Sequence, residues 1–400
     1  MLSELHISIV KSTIPLLESA GSHITEHFYQ RLFNHNPELK HIFNLSHQQT
    51  GGQPVALFNA VAAYAKNIDN LGALTSTVER IAHKHTSFNI QPEHYPIVGH
   101  HLLETLRELA PDDFTPEVEE AWGAAYAVLA GIFIEREGAL YHKRANDNGG
   151  WQGARQFTVS EKKTESALVT SFVLSPTDGQ TVIDFEPGQY LGICVAPDQQ
   201  QYREIRQYSL SDKPNGKQYR ISVKREALNI PGVVSNYLHD HIHIGDSIDV
   251  YPPAGDFHYK EREAPVVLIS AGVGVTPMQS MLEMLAANAF SNPVFYLHAC
   301  ESVEQHSFNQ RVEELSLQLD LQHHTWYRDI AQSNQVSELS NIHQGFMNFA
   351  TLRNQLPIEH GDYYLCGPVP FMQFAQQQLL ELGVDTQRIH YEVFGPHASL

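Results

Sequence analysis

Cysteine is scarce in this chain of 400 residues. Its three cysteines, Cys194, Cys300 and Cys366, lie far apart and form no C-x-x-C pair. That spacing excludes a disulfide framework and a four-cysteine zinc or iron–sulfur site. Long apolar runs are also lacking, because the longest one, from Ala121 to Ile134, is too short to cross a bilayer.

Basic charge is low as well, with 26 lysines and arginines against 45 acidic residues and a formal net charge of -19. Such a chain repels phosphate backbones and anionic membrane surfaces, so neither nucleic acid nor a membrane is an expected partner. Glu4, Lys11 and Pro15 interrupt the N-terminal segment, which is unlike a signal peptide. We therefore expect a cytoplasmic protein, with a monomer as the default state. Histidine is abundant, at 24 residues, so a single histidine carries little weight.

The length predicts two to four domains, and the sequence pattern changes along the chain. Residues 1–140 place apolar residues at helical spacing, which predicts an all-α domain. Residues 141–150 are polar and end in glycines, which is typical of a linker. Residues 151–262 contain short β segments between turn signals, which predicts an antiparallel β-barrel or sandwich. Residues 263–400 alternate short apolar strands with helices, which predicts an α/β domain with a parallel sheet covered on both faces.

Several elements can be assigned from these patterns. The predicted β segments are Ala167–Leu174, Tyr190–Val195, Tyr219–Lys224, Ser247–Tyr251, Pro265–Ser270, Pro293–Ala299 and Asp362–Cys366. A helix is predicted over Met278–Ala287.

One histidine in the helical part lies on an apolar face. In the segment VERIAHKHTSF, apolar residues recur at helical spacing on the face that also carries His85. His85 is therefore expected to point inward and His83 outward. A core imidazole with satisfied hydrogen bonds and an axial metal ligand are both open interpretations of His85.

Other polar residues of the helical part are also expected to face its core. Tyr29 lies in a dense aromatic patch, and Gln53 opens a predicted helix. Glu135 lies at i+3 from Ile132, so its carboxylate faces partly inward. A buried carboxylate is costly unless it is paired. Tyrosine, glutamine, histidine and glutamate turned toward one core predict a polar pocket around a cofactor.

At this point the helical part resembles the globin domain of the bacterial flavohaemoglobin family. The resemblance rests on Phe43 in HIFN, Gln53 in GGQPVALFNAVAAYA, Tyr29 in HFYQRLF and His85 in IAHKHTSF. It implies that His85 is the proximal ligand of a haem iron and that Tyr29 and Gln53 lie on the distal side. Phe43 is the phenylalanine that wedges the haem.

The resemblance also implies a hydrogen-bonded network behind His85. Tyr95 and Glu135 are the implied partners, and they would make the imidazole a stronger electron donor to iron. Such a network favours oxygen chemistry over oxygen storage. A helix-start aromatic with no catalytic part is the alternative interpretation of Tyr95.

Two motifs in the middle of the chain point to a flavin. The segment RQYS, residues 206–209, offers an arginine for a phosphate, a tyrosine that can stack on a flat ring and a serine for a ring nitrogen. The segment GVVS, residues 232–235, opens a short helix whose free N–H groups suit a diphosphate. The alternative interpretation of RQYS is an ordinary amphipathic strand, and that of GVVS is an ordinary helix start capped by the serine.

Together with PGQY, residues 187–190, these motifs resemble the FAD domain of the ferredoxin–NADP reductase superfamily. The flavin-binding residues that the resemblance implies are Tyr190, Arg206, Gln207, Tyr208, Ser209 and Ser235.

The segment SAGVGVTP, residues 270–277, follows an apolar strand and opens a helix, which is the context of a nucleotide-binding loop. Its G-x-G-x-x-P spacing differs from the general dinucleotide motif, but G-x-G-x-T-P resembles the nicotinamide site of the same superfamily. Cys366-Gly367 resembles that site's second signature, and a small buried hydrophobe is the alternative interpretation of Cys366. The implied nicotinamide-site residues are Ser270, Ala271, Gly272, Val273, Gly274, Val275, Thr276, Pro277, Cys366 and Gly367.

The C-terminal segment completes the resemblance. Its implied cofactor-binding residues are Glu392, Val393, Phe394, Gly395 and Pro396, with the aromatic ring covering one face of the flavin. Lys84, next to His85, has two open interpretations: a partner of Glu392 between haem and flavin, or a solvated surface lysine.

The order of globin, FAD and NAD(P) domains implies a nitric oxide dioxygenase. In that family NADH or NADPH reduces FAD, FAD reduces the haem iron, and oxygen bound at the iron converts NO to nitrate. Three alternatives differ in kind: a gas-binding globin sensor or store, a reductase for a soluble acceptor, and an NAD(P)H-driven oxidase or peroxidase. The full reductase part disfavours the first, and the set around His85 disfavours the second.

Overall fold

A computed structural model describes residues 2–43, 52–197, 200–227, 231–329 and 341–395. The chain forms two compact units. The first unit comprises Met1–Gly153 and Cys194–Arg206, and the second comprises Ala154–Ile193 and Gln207–Leu400.

The N-terminal part of the first unit is helical, as the apolar spacing predicts. Its helices are α1 (Glu4–Ser12), α2 (Ile14–Ala20), α3 (His23–His35), α4 (Gly52–Lys66), α5 (Thr75–Ser87), α6 (His94–Leu109) and α7 (Pro116–Asn146), with 3-10 turns at Pro37–His41 and Leu71–Leu74. Thr115 begins the longest helix, because its side chain accepts a hydrogen bond from the backbone N–H of Val118 and Pro116 suits the first turn.

The predicted linker over residues 141–150 is wrong in its first half, because α7 continues to Asn146. Two buried side chains hold these last turns against the rest of the unit. The Tyr141 hydroxyl donates to the Ile90 carbonyl at 2.7 Å, and Arg144 Nη1 donates to Thr86 Oγ1 at 2.6 Å. The first half of this polar segment is therefore held by specific contacts and is not a free connection.

The first sheet is antiparallel, as predicted. Its strands are β1 (Arg155–Thr164), β2 (Val169–Pro176), β3 (Tyr190–Val195), β4 (Glu204–Ser209), β5 (Tyr219–Lys224) and β6 (Ser247–Ala254), in the order β4-β3-β6-β1-β2-β5, and α8 (Val233–His241) lies between β5 and β6 in the chain. A bridge between Leu210 and Ile221 brings the two edges of the sheet together. The RQYS motif lies within β4.

The second sheet is parallel, as the alternation of strands and helices predicts. Its strands are β7 (Val266–Ala271), β8 (Val294–Cys300), β9 (Leu321–Tyr327), β10 (Ile342–Gln344), β11 (Asp362–Cys366) and β12 (Ile389–Glu392), in the order β10-β9-β8-β7-β11-β12. Its helices are α9 (Val275–Ala287), α10 (Asn309–Ser316) and α11 (Val369–Leu382), with 3-10 turns at Gly272–Gly274, Val303–Gln305, Phe349–Leu352 and Thr386–Arg388.

Both faces of the parallel sheet are buried. Leu268 packs with Met278 and Leu282 of α9 on one face, and Ile269 packs with Leu379 of α11 on the other. Strand order reverses between β7 and β11, because β8 lies on one side of β7 and β11 on the other. Loops that follow β7 and β11 therefore meet at the topological switch point, where open α/β sheets bind ligands.

Among the described residues, no helix is both long enough and apolar enough to cross a membrane.

Candidate active site

A carboxylate and a phenol both contact the Nδ1 edge of the His85 imidazole. His85 Nδ1 lies 2.7 Å from Glu137 Oε1 and 3.1 Å from the Tyr95 hydroxyl. The same hydroxyl donates to Glu137 Oε1 at 2.6 Å. Because both contacts engage Nδ1, the other ring nitrogen, Nε2, is the one available to a metal, which is the arrangement of many metal-bound histidines.

Packing of α6 against α7 fixes this group. Tyr126 donates its hydroxyl proton to the Tyr95 carbonyl at 2.7 Å, and a Cβ at Gly99 would lie 2.4 Å from the Tyr126 ring. Phe133 lies against His85, with ring centroids 5.6 Å apart, and stacks on Tyr95. Burial, together with the charge of Glu137, raises the pKa of Tyr95, so the phenol stays a neutral donor.

Two expectations about this region are wrong. Glu135 is exposed, and Glu137 is the buried carboxylate at His85. His83 is buried instead of outward-facing, between Glu79 at 3.1 Å and Arg144 at 3.1 Å. Apolar residues lie on several sides of α7, so helical spacing alone could not show which carboxylate faces inward. Glu137 lies at i+4 from Phe133, and this spacing places it inward only once the structure shows that Phe133 is buried.

Tyr29, one of the predicted distal residues, shares an aromatic cluster with Phe43. Tyr29 is buried, and its ring lies 5.9 Å from that of Phe43 and 5.8 Å from that of Phe33. α4 begins beside this cluster, since Thr25 Oγ1 in α3 donates to the Pro54 carbonyl at 2.7 Å. Gln53 is therefore held at the start of α4, as predicted.

The Gln53 side chain tests whether these residues suit a haem. Its Oε1 is buried and has no hydrogen-bond partner among the described residues. A buried amide oxygen is costly when unpaired, so this atom is consistent with a site that a bound group or its ligand completes. The free Nε2 of His85 and the aromatic wall at Phe43 suit the proximal and edge contacts of a flat iron macrocycle.

Residues of the RQYS motif alternate along β4. Arg206 and Tyr208 are half-buried on one face, whereas Ser209 is buried on the other. Arg206 Nη1 donates to Glu204 Oε2 at 2.8 Å, which fixes the guanidinium beside its own strand. A half-buried arginine and tyrosine on one face suit a phosphate and a flat ring. Tyr190 of β3 is buried and packs against Gly255, where a Cβ would lie 3.1 Å from its ring.

The GVVS motif forms the predicted helix start. Gly232 precedes α8, and its backbone N–H donates to the Glu226 carbonyl at 2.9 Å. A Cβ on Gly232 would lie 2.4 Å from Ser235 Oγ, so only glycine leaves this turn open. Asn236 Oδ1 is buried without a partner in the described part of the chain. An open helix start suits a diphosphate, whereas the Asn236 oxygen accepts hydrogen bonds and suits an N–H or O–H donor of a bound group.

The two nicotinamide motifs meet at the switch point. A Cβ on Gly274 would lie 2.2 Å from the Cys366 carbonyl oxygen, so the loop after β7 lies directly against the end of β11. Gly272 has a φ of +54°, in the left-handed region that favours glycine. Within the loop Gly272 is exposed and Val273 is half-buried. The buried remainder comprises Ser270, Ala271, Gly274, Val275, Thr276 and Pro277.

Cys366 lies at this junction as a buried thiol. Burial, together with the charge of Glu392, raises its pKa well above the ordinary value, so the thiol is neutral and not a nucleophile. Ser270, its neighbour across the sheet, bonds to His298 Nδ1 at 2.8 Å. Sequence reasoning missed His298, because nothing in a strand's spacing shows which residue of the next strand lies beside it.

The remaining predicted residues are placed as follows. Glu392 ends β12, in register with Cys366, and Phe394 is exposed. Val393 and Gly395 are half-buried, whereas Pro396 lies outside the described residues. Lys84 is half-buried in α5.

Comparison with known proteins matches each part of this arrangement. Residues 26–133 match the Globin family, residues 156–259 the Oxidoreductase FAD-binding domain and residues 268–377 the Oxidoreductase NAD-binding domain. The whole chain is 63% identical to a curated protein of Vibrio cholerae serotype O1 called Flavohemoprotein, with 100% of both chains covered. The chain belongs to the flavohaemoprotein family.

Solved structures agree with membership of this family. A crystal structure of flavohemoglobin from Malassezia yamatoensis with bound FAD and heme is 26% identical, covers 98% of this chain and 100% of its own, and superposes with a TM-score of 0.86. The FAD/NAD binding domain of nitric oxide dioxygenase from Vibrio cholerae O1 biovar El Tor is 55% identical. It covers 61% of this chain and 100% of its own, with a TM-score of 0.57.

Proposed function

We propose that this chain is an NAD(P)H-dependent nitric oxide dioxygenase that carries one haem and one FAD. The observation that carries the proposal is the carboxylate at His85, at 2.7 Å, in a chain that also contains a complete flavin reductase. A gas carrier has no need of either feature. When bound, the nicotinamide supplies two electrons, the flavin passes them on singly, and the haem iron binds oxygen and directs its reaction with NO.

The residues around His85 prepare the proximal side. Glu137 accepts hydrogen bonds from His85 and Tyr95, so the imidazole proton at Nδ1 is drawn toward the carboxylate. This increases the electron density at Nε2 and makes the ligand a stronger donor. Phe133 and Tyr95 keep the carboxylate away from water, which strengthens its effect.

On the distal side, Tyr29 and Gln53 would hydrogen-bond the oxygen substrate. The aromatic rings of Phe33 and Phe43 surround Tyr29 and exclude water from its hydroxyl. A preorganised donor in such a site stabilises developing negative charge without reorganisation.

In the second unit, Tyr208 and Ser209 would contact the flavin ring, and Ser235 its phosphates. Gly272 and Gly274 allow the backbone to approach a nicotinamide nucleotide, and Cys366 provides a neutral wall beside it. Arg206 of the first unit would bind a flavin phosphate.

The proposed small-molecule partners are O2, NO and the nicotinamide nucleotide. Because the reaction consumes a nicotinamide nucleotide, we place the protein in the cytoplasm. A monomer stays the prediction for its oligomeric state.

A peroxidase or oxidase is the second candidate, and the same Glu137–His85 contact favours it, because a strong proximal donor also promotes cleavage of an O–O bond. The rates of NO consumption and peroxide turnover, measured on one preparation, separate the two activities. Peroxide turnover above NO consumption would select the peroxidase.

The proposed function is tested by an anaerobic optical titration with NADH, followed by a pulse of NO in aerated buffer. The oxidised protein should show haem and flavin bands together. NADH should reduce both groups, and nitrate should then form in proportion to the NO consumed. A preparation whose flavin is reduced while its haem is absent or stays ferric would contradict the proposal.

A further inference from the structure

A cluster of four polar residues and one phenylalanine, all within the second unit, joins the flavin-binding sheet to the nicotinamide domain. Its members are Arg220 of β5, Ser280 and Glu283 of α9, Phe308 and Arg311, and we call it the Arg220 cluster. On the flavin side it contacts Ser211 and Asp212, which are separated from the RQYS motif by Leu210 alone. On the nicotinamide side it belongs to α9, the helix that begins in the Gly272–Pro277 loop.

Arg220 holds the segment after the flavin motif. Its Nε donates to Ser211 Oγ at 3.2 Å, and its Nη2 donates to the Ser211 carbonyl. The backbone adds a third bond, from Ser211 N–H to the Arg220 carbonyl at 2.9 Å. A planar guanidinium that makes several bonds to one residue fixes both its position and its orientation.

α9 contacts the same segment directly. Ser280 Oγ donates to the Asp212 carbonyl at 2.7 Å, and Ser280 is fully buried. Glu283, one turn further along α9, lies with Oε1 4.0 Å from Arg220 Nη2. Residues at i and i+3 of a helix share one face, so α9 presents both groups to the flavin-binding sheet.

Glu283 is ionised despite its burial. Burial alone raises the pKa of its carboxyl, but hydrogen bonds from Arg311 and Gln279 outweigh that effect, so the net pKa is lowered. Arg311 binds both carboxylate oxygens, at 2.9 Å and 2.8 Å. The fixed negative charge faces Arg220 and opposes its withdrawal.

Phe308 shows that the backbone adapts to this contact. The Arg220 guanidinium lies over its ring at 5.6 Å, and Phe308 has a φ of +65°. A bulky aromatic residue in the left-handed region is strained, and such strain persists where surrounding contacts fix it. Phe308 is buried at the start of α10, beside the Arg311 that pairs with Glu283.

We propose that the Arg220 cluster positions the flavin strand against the nicotinamide loop, with Ser280 and Glu283 as positioning residues for the transfer of two electrons from nicotinamide to flavin. The two segments that the cluster joins lie close in sequence to the cofactor motifs. Ser211 is two residues after Ser209, and Ser280 is three residues after Pro277. Reaction rates fall steeply when reacting groups are misplaced by about 1 Å, so a small rotation of α9 would slow transfer without abolishing binding. The inference rests only on the reductase half of the proposed function.

The test uses the complete holoprotein with Ser280→Ala and Glu283→Gln. Ser316→Ala is the matched control, because within the described part of the chain its hydroxyl bonds only inside α10, to the Glu313 carbonyl. Flavin reduction by NADH is followed anaerobically by stopped flow, and NADH–ferricyanide turnover measures the reductase without the haem. NAD+ binding is measured by calorimetry, and amide exchange of residues 209–212 by mass spectrometry.

We expect Ser280→Ala to slow flavin reduction at saturating NADH by about tenfold or more. FAD content and the NAD+ dissociation constant should stay within about twofold, and the amides of residues 209–212 should exchange faster. A larger primary isotope effect with 4-deuterated NADH should accompany the slower step. Ser316→Ala should change none of these.

Unchanged flavin reduction and amide exchange in Ser280→Ala would overturn the inference. So would loss of FAD or of NAD+ binding in proportion to the rate, because that pattern indicates a binding role. If Glu283→Gln fails to fold, Ser280→Ala decides alone. Normal ferricyanide turnover with failed NO consumption in the unaltered protein would refute the dioxygenase proposal and leave this inference standing.

Discussion

Replacing Glu137 with glutamine should raise the reduction potential of the haem. The substitution keeps the shape of the side chain but removes the charge that lies 2.7 Å from His85 Nδ1 and 2.6 Å from the Tyr95 hydroxyl. The negative carboxylate stabilises the ferric state more than the ferrous state, so its loss favours reduction. Glu137 is almost completely buried, so water screens this effect poorly.

The size of the shift follows from the hydrogen bonds that are lost. Hydrogen bonds to charged groups contribute about 1.5–3 kcal/mol. For a one-electron couple this corresponds to roughly 65–130 mV, at about 59 mV per tenfold change. A glutamine oxygen still accepts one neutral hydrogen bond from His85, so the lower half of this range is expected. NO consumption should fall about 10–100-fold, as is usual for partners of a metal ligand.

Spectroelectrochemical titration measures the potential, and Glu135→Gln is the matched control. Glu135 lies on the same helix and is exposed, so its neutralisation should shift the potential by less than about 20 mV. An unchanged potential in Glu137→Gln, or a larger shift in Glu135→Gln, would refute the assignment of Glu137 as the carboxylate that tunes His85.

Further predictions concern other parts of the chain. Tyr29→Phe should speed release of O2 by roughly 2–13-fold, the effect of losing one neutral hydrogen bond of about 0.5–1.5 kcal/mol, and unchanged dissociation in flash photolysis would contradict it. Gly274→Ala should nearly abolish flavin reduction by NADH but not by dithionite, because the new Cβ would lie 2.2 Å from a backbone oxygen, and normal reduction by NADH would show that the loop can move. Burial lowers the pKa of His306 to about 4. The unfolded chain protonates this group near pH 6.5, so stability should fall by up to about 3 kcal/mol as the pH drops from 6.5 to 4. Urea unfolding should show a shallower slope in His306→Phe than in the unaltered protein, because burial also lowers the pKa values of His298 and His390, which keep contributing. Equal slopes would exclude His306 as a cause.

Local sequence patterns predicted the boundaries of an element well where turn signals stand at both ends of it. Three strands begin and end as predicted, because turn signals on both sides of a short apolar run leave little choice of boundary. They are Tyr190–Val195, Tyr219–Lys224 and Asp362–Cys366. The extent of α7 was not predictable in this way. Its last turns are polar, and they become helical because Tyr141 and Arg144 find partners on other segments.

Site residues follow the same division. Residues within one motif, such as RQYS and GVGVTP, could be predicted from the sequence because their proposed chemistry depends on neighbours in the chain. Glu137, His298 and the Arg220 cluster were not, because each acquires its role from a residue far away in sequence. Distances such as the 2.7 Å between Ser280 and the Asp212 carbonyl exist only after two domains have packed.

The sequence by itself determined the order of the three domains and the parallel and antiparallel character of the sheets, and it predicted His85 as the ligand. It could do so because helical and strand periods are local properties of the chain. Only the tertiary structure decided whether Glu135 or Glu137 of α7 faces His85. A helix with apolar residues on several sides has no preferred inward face until α5 and α6 pack against it, and that packing brings Glu137 to the imidazole and leaves Glu135 in water.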